Sequence, residues 1–136
     1  MPLIVPKHER NVDMTEHDPA VLLARAAKLK LFVMLRRVVK PDLLAENLGA
    51  HLRWLIDREK EGLVFLSGPV ASREGAVTLS GLSILRTTTI EEAEAIARQD
   101  PFIKLGVFTY EIYEWTVNEG GISLFVSLSD STVAIR

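Results

Sequence analysis

A chain of 136 residues has room for one domain with a real core, and 48% hydrophobic and 25% charged residues are ordinary for a soluble globular protein. The net charge of -2 provides no basic field for nucleic acid, and the lack of cysteine excludes disulfides, thiolate metal sites and cysteine nucleophiles. The proline-broken, charged N-terminus does not resemble a signal peptide, and no apolar run reaches the ~18 residues that span a bilayer. We therefore expect a cytoplasmic protein without nucleic-acid or membrane partners.

The first half of the chain predicts a tail, a helix, a strand and a second helix. Residues 1–17 are polar, and Asp18 then supplies an N-cap for a helix that runs toward Lys28. Residues 29–39 are apolar on both faces until two arginines, which predicts a central strand. A helix follows from Pro41-Asp42 to residue 61, with one buried apolar stripe: Leu44, Leu48, Leu52, Leu55 and Ile56.

The second half predicts two strands, a helix and two more strands. Residues 63–70 and 82–87 are predicted to be strands joined by a polar loop or hairpin over residues 71–80. Thr89 and Glu92 form a capping box for a helix that must stop before Pro101. Residues 107–115 are rich in aromatic and β-branched side chains, which predicts a strand. Over residues 122–129 every second residue is aliphatic, which predicts one half-buried strand at a sheet edge or in a dimer contact.

The order of these elements predicts the fold. From Leu29 to Trp115 it is strand, helix, strand, strand, helix, strand, which is the α+β ferredoxin-like arrangement with an antiparallel sheet and both helices on one face. The opposite face also carries apolar residues and needs cover, so we expect a homodimer that packs sheet on sheet. The predicted regions are an N-terminal extension over residues 1–28, the ferredoxin-like domain over residues 29–116 and a C-terminal strand extension over residues 117–136.

Several short motifs in this domain resemble those of the YCII-related family. They are His51-Leu52-Arg53-Trp54-Leu55, Gly62, Ser67-Gly68-Pro69 and Asp100-Pro101-Phe102. The resemblance implies a dimeric α/β barrel of ferredoxin-like subunits, with a histidine and the aspartate of the Asp-Pro-Phe motif as an active-site pair. It also implies chemistry without a cofactor on small organic molecules, linked in some members to the breakdown of aromatic compounds.

The same pair is indicated by the residues themselves. His51 borders the apolar stripe of its helix and should face the sheet or a pocket wall, where an imidazole can exchange a proton near neutral pH. Asp100 ends the next helix, where the helix dipole disfavours a carboxylate by a few tenths to ~1 kcal/mol. If Asp100 bonds one nitrogen of His51, the other nitrogen is a general base. The alternative is a satisfied core histidine and an aspartate that merely ends a helix.

Four further residues are candidates for substrate binding. Ser67 ends a strand and is able to offer a hydroxyl, although a simple turn residue is the alternative. Arg36 and Arg37 point to opposite faces of their strand, so at most one reaches the pocket. We assign Arg37 to bind a substrate carboxylate, and a solvated surface arginine is the alternative. Trp54 and Phe102 are able to stack on a flat substrate. Other aromatic residues are expected in the core or a dimer interface: Tyr110, Tyr113 and Trp115.

The N-terminal tail does not predict a metal site. It contains histidine and carboxylate side chains, but they lack the spacing of metal ligands: His8, Glu9, Glu16, His17 and Asp18. No phosphate-binding glycine loop and no serine elbow is present. We therefore expect no cofactor and no metal.

Three classes of function remain open. The first is a cofactor-independent lyase or isomerase in which His51 and Asp100 act on a small cyclic or aromatic-derived molecule. The second is a ligand-binding or accessory module that holds such a molecule without converting it. The third is a protein-interaction domain that relies on the extra N-terminal helix and C-terminal strand.

Overall fold

The fold is described by a computed structural model that covers residues 17–71, 73 and 81–135. The predictions for His8, Glu9 and Glu16, and most of the predicted loop over residues 71–80, concern residues outside this part of the chain. The elements in chain order are α1 (Pro19–Ala24), β1 (Leu29–Val38), a 3₁₀ turn (Pro41–Leu43), α2 (Leu44–Lys60), β2 (Val64–Gly68), β3 (Gly81–Leu85), α3 (Ile90–Ala97), α4 (Pro101–Lys104), β4 (Phe108–Val117), β5 (Leu124–Ser127) and β6 (Thr132–Ile135).

Two compact units are formed, and the larger one is residues Leu29–Val117. Its sheet has the strand order β2-β3-β1-β4, and each neighbouring pair is antiparallel. The prediction that the first strand is central is confirmed, because β1 pairs with both β3 and β4. The α+β ferredoxin-like fold is also confirmed. None of the described helices is long and apolar enough to cross a membrane.

Alternating residues of the strands create two different sheet faces. On the face that we call the inner face, Phe32, Met34 and Arg36 of β1 are buried, and helix α3 packs there through Ala93 and Ala97. On the other, outer face, Val33 and Leu35 of β1 lie beside residues of β3 and β4. This period of two is the geometry of a strand, so neighbouring arginines must fall on opposite faces.

Helix α3 begins as its sequence predicts. The Thr89 hydroxyl accepts a hydrogen bond from the Glu92 amide (3.2 Å), and the Glu92 carboxylate accepts one from the amide of Thr88 (2.9 Å). The helix ends at Ala97, before Pro101, because proline disfavours helical geometry in the residue that precedes it. The short helix α4 then starts at Pro101 itself, and no helix was predicted at this position.

The smaller unit consists of the chain segments that precede and follow the larger unit in the sequence. Its helix α1 is capped as predicted, since the Asp18 carboxylate accepts a hydrogen bond from the Ala20 amide (2.9 Å). The single half-buried C-terminal strand is a wrong prediction: β5 and β6 form a two-stranded antiparallel hairpin of mostly exposed residues. The chain reverses there because Asp130 accepts hydrogen bonds from the amide and hydroxyl of Thr132, at 3.1 and 2.8 Å.

Candidate active site

A cavity of about 1000 Å³ opens between helix α2 and the inner face of the sheet. Its helical wall is the stripe that the sequence predicted as buried core. Leu48, Leu52 and Ile56 are instead 46%, 46% and 48% exposed, because they face this open cavity rather than a packed layer. The stripe therefore gives the cavity an apolar lining, which is the usual character of a small-molecule site.

His51 and Asp100 meet at the wall of this cavity. The His51 Nδ1 atom lies 2.7 Å from the Asp100 Oδ1 atom, and the side chains are 8% and 0% exposed. Oδ1 also accepts a hydrogen bond from the Phe102 amide at 3.0 Å. A carboxylate bound to Nδ1 fixes the hydrogen on that nitrogen and leaves Nε2 with its lone pair. Among the described residues, Nε2 has no hydrogen-bond partner.

The electrostatic setting of Asp100 differs from the prediction. Asp100 was expected at the unfavourable end of the preceding helix, but α3 ends three residues earlier and Asp100 is the N-cap of α4. An N-cap carboxylate accepts an otherwise unpaired amide hydrogen and is stabilising there. The predicted cost of placing this carboxylate at the C-terminal end of a helix is therefore wrong, because proline starts a new helix directly after it.

Aromatic rings hold the imidazole from two sides. The Phe102 ring stacks on His51 with centroids 4.5 Å apart, and Phe108 meets it edge-on at 6.0 Å. Both phenylalanines are buried and also line the cavity. Packing of this kind restricts ring rotation, so the His51 ring is held in one orientation toward the cavity.

Arg36 lies on the cavity side of the sheet. Its Nη1 donates to the Ser83 Oγ (2.6 Å) and contacts the Met34 sulfur (3.7 Å), while Nη2 donates weakly to the Ser67 Oγ (3.5 Å). Within the described residues it makes no ion pair, and its Nε has no hydrogen-bond partner. Burial lowers the pKa of Arg36, and the charge of Asp100 offsets part of that effect.

A glycine makes room for this guanidinium. A Cβ atom on Gly81 would lie 2.8 Å from Nη2 of Arg36, closer than real Cβ atoms approach, and 3.1 Å from Nε, which is tighter than most real Cβ contacts. Gly81 is the residue of β3 that pairs with Arg36 of β1. The lack of a side chain at this position therefore allows the arginine to lie close to the neighbouring strand.

Two of the predicted substrate-binding residues lie elsewhere. Arg37 is exposed on the outer face, because the period of two turns it away from the helices, so the assignment of Arg37 instead of Arg36 is corrected. Trp54 is not in the cavity wall but packs against the hydrophobic core, with its ring centroid 6.4 Å from that of His51. Ser67 and Phe102 do line the cavity.

Two residues of this site carried no recognisable signal in the sequence. Ser83 was read only as part of a strand, and Phe108 only as one of several apolar strand residues. Their positions follow from strand register, because Ser83 pairs with both Met34 and Ser67, while Phe108 pairs with Val38. This register places Ser83 on the same sheet face as Arg36, within hydrogen-bond distance of it.

Comparisons with known proteins identify the family and agree with the fold. The family model described as YCII-related domain matches residues 15–116. Among solved structures, the chain is similar to 5-chloro-2-hydroxyhydroquinone dehydrochlorinase from Burkholderia phenoliruptrix, in complex with 2,5-dihydroxybenzoquinone. The TM-score is 0.52 at 20% identity, and the match covers 62% of this chain and 92% of the other. No curated protein matches the chain.

Proposed function

Because the chain belongs to the family of YCII-related domains, we propose that it is a small cofactor-independent lyase or isomerase. Its substrate is a cyclic or aromatic-derived organic molecule, His51 is the general base, and Asp100 orients it. The observation that carries this proposal is the buried hydrogen bond of 2.7 Å between these side chains at the wall of an apolar cavity. The similarity to a dehydrochlorinase of a hydroxylated ring supports a ring-shaped substrate and a place in aromatic degradation.

The arrangement supports the removal of one proton from the substrate. Nε2 of His51 accepts a proton from an acidic C–H or O–H group, and the negative Asp100 oxygen, 2.7 Å from Nδ1, stabilises the imidazolium that forms. The electron pair of the broken bond then becomes a new double bond. In an elimination the leaving group departs with its bonding electrons, and the imidazolium afterwards releases its proton to water. In an isomerisation the imidazolium returns the proton to a different atom of the substrate.

The first experiment is a search for turnover. Hydroxylated aromatics, quinones and lactones are incubated with the protein, and loss of each compound is followed by ultraviolet absorbance. For a compound that is converted, we expect His51→Gln to lower kcat/KM by about 10²- to 10⁴-fold, the usual contribution of one positioned acid–base group. Asp100→Asn lowers it as well, because a neutral amide does not stabilise the imidazolium.

Matched variants separate catalysis from stability. His17→Gln and Asp57→Asn make the same chemical changes at exposed positions and should leave kcat/KM unchanged. Circular dichroism confirms that each variant is folded. The proposal fails if folded His51→Gln converts the compound at the wild-type rate. Binding of a panel compound without any conversion by the wild type would favour the alternative, a ligand-binding module.

We also propose that the protein is a homodimer that pairs through the outer face of its sheet. Leu66, Tyr113 and Trp115 on this face are 59%, 52% and 45% exposed in the single chain. With neighbouring aliphatic side chains they line a shallow apolar depression: Val33, Leu82 and Ile84. A contiguous exposed apolar patch of this kind is typical of a protein interface, and a second copy of the same face is its simplest complement.

A further inference from the structure

A buried cation and two serines form a hydrogen-bonded chain that ends at the cavity. Arg36 is 2% exposed and Ser83 is 1% exposed, whereas Ser67 is exposed and lines the cavity. The Arg36 guanidinium donates to Ser83 at 2.6 Å, and the Ser83 and Ser67 oxygens are 2.8 Å apart. None of these contacts belongs to the His51–Asp100 pair, so the proposed proton transfer does not involve these three side chains.

The direction of donation along this chain follows from what each group is able to do. Arginine has only donors, so the Ser83 oxygen must accept from it. The hydroxyl hydrogen of Ser83 is buried and needs an acceptor, and within the described residues the Ser67 oxygen is the one within reach. Ser83 therefore donates to Ser67. The hydroxyl hydrogen of Ser67 is then left over and is free to donate into the cavity.

The charge of Arg36 has no direct counterion in the described part of the chain. Its hydrogen-bond acceptors are neutral: two serine hydroxyls and the sulfur of Met34. The nearby Asp100 accepts hydrogen bonds through Oδ1 from His51 and the Phe102 amide, and its buried Oδ2 has no hydrogen-bond partner in the described residues, so its charge acts on Arg36 only through space. A buried cation without a hydrogen-bonded carboxylate favours an anion at the site, and successive donors polarise one another, which strengthens the last donor.

We propose that Arg36, acting through Ser83 and Ser67, selects substrates that carry an anionic oxygen on an otherwise apolar ring. Ser67 touches that oxygen, and Arg36 and Ser83 are positioning residues. That these ligands are substrates rests on the proposed function, whereas the preference for an anion is a property of binding alone. A carboxylate, phenolate or enolate satisfies it, since all three present a negative oxygen to a hydroxyl donor.

The chain of donors also complements the proposed proton transfer. When His51 removes a proton from carbon beside a carbonyl group, the electron pair moves to the carbonyl oxygen and an enolate forms. The imidazolium is then paired with Asp100, and the enolate oxygen is paired with the polarised hydroxyl of Ser67. Each of the two new charges has its own partner, so neither is left unpaired in an apolar cavity.

The test uses ligand pairs that differ in charge but little in shape. Affinities are measured at pH 8 by NMR titration for benzoate against benzamide, and for 4-nitrophenolate against nitrobenzene. We expect the wild type to prefer the anion in at least one pair, and the pair that shows it distinguishes a carboxylate from a phenolate. Ser67→Ala should lower that preference by about 10- to 100-fold, as expected for loss of a charge-assisted hydrogen bond.

Further variants separate a specific role from structural damage. Ser83→Ala should lower the preference for the anion, because it interrupts donation from the guanidinium. Arg36→Lys should keep part of it, and Arg36→Met should remove it; if Arg36→Met does not fold, the two serine variants decide. Ser127→Ala, a serine of the C-terminal hairpin, should change nothing. A merely structural role of these serines would weaken both members of a pair equally, and that result would overturn the proposal.

His51→Gln distinguishes this inference from the proposed function. If Arg36 and the serines bind the anion, His51→Gln keeps the preference for the anion even where all turnover is lost. If the preference disappears in His51→Gln but survives in Ser67→Ala, an imidazolium binds the anion and the inference is wrong. Absence of turnover in the wild type, with the preference intact, would count against the proposed enzyme and leave the binding site standing.

Discussion

The two faces of the four-stranded sheet consist of alternate residues of the same strands, yet they differ in chemistry. The inner face carries a hydrophobic core at one end and Arg36, Ser83 and Ser67 at the other, beside His51 of helix α2. The outer face carries exposed apolar side chains and the exposed Arg37. Of two neighbouring arginines, Arg36 is therefore buried beside the cavity and Arg37 is exposed on the opposite face. Residue type alone does not decide whether a side chain lies in the site.

The largest expected effect is the loss of the homodimer through one charge on the outer face. Leu66→Arg puts a cation into the exposed apolar patch, and a desolvated unpaired charge at an interface core is strongly unfavourable. We expect the mass measured by size-exclusion chromatography with light scattering to fall from dimer to monomer. Leu105→Arg, at a similarly exposed position outside the sheet, is the control and should leave the dimer intact. A wild-type monomer would contradict the proposed pairing.

The second expected effect is on stability, when a leucine of each sheet face is shortened to alanine. Leu85 is fully buried on the inner face, so Leu85→Ala should lower the free energy of unfolding by about 2–5 kcal/mol. Leu66→Ala on the outer face should change it by no more than about 0.5 kcal/mol at concentrations too low for pairing. Urea denaturation followed by circular dichroism measures both. Equal losses for the two variants would show that the outer face is covered within one chain.

The smallest expected effect compares two tyrosines of β4, each bonded to a glutamate. The hydroxyl of Tyr110 on the inner face donates to Glu94 at 2.7 Å, and that of Tyr113 on the outer face donates to Glu111 at 2.6 Å. Tyr110→Phe should cost about 0.5–1.5 kcal/mol, the usual net value of a hydrogen bond. Tyr113→Phe should cost less, because its phenol is exposed. Chemical denaturation at pH 7 measures the two variants side by side.

The same tyrosine predicts how stability changes with pH. Burial, together with the hydrogen bond and negative charge of Glu94, raises the pKa of Tyr110. A raised pKa means that the folded state holds the phenolic proton more tightly than the unfolded state does. The resulting stability is present below the ordinary tyrosine pKa of about 10 and is lost as the pH rises through the folded value. The wild type should therefore lose stability above about pH 10 more steeply than Tyr110→Phe does.

Much of the fold was predictable because it depends on local signals. The capping box at Thr89 and Glu92, the stop before Pro101 and the central position of β1 all follow from residue type and spacing. The error at the C-terminus has a local cause as well. Asp130 and Ser131 form a turn after the expected strand and lead into a second strand that pairs with it, and this turn lacks the glycine that usually marks one.

The candidate site was only partly predictable, because it depends on how distant segments pack. The motif pair His51 and Asp100 was predicted, and the structure brings the two side chains together. The choice between Arg36 and Arg37 failed because β1 is apolar on both faces, so its sequence does not show which face the helices cover. Trp54 was misplaced for a related reason, since a helix surface can face either a core or a cavity.

The sequence by itself determined the order of the elements, the ferredoxin-like class and the pair of residues most suited to proton transfer. These follow from periodicity, capping and motif spacing, which act over a few residues. Only the tertiary structure decided that Asp100 caps a new helix, that the stripe of α2 lines a cavity, and that Arg36 joins Ser83 and Ser67. Those outcomes depend on strand register and on which sheet face the helices cover, and both are fixed by contacts between residues far apart in the chain.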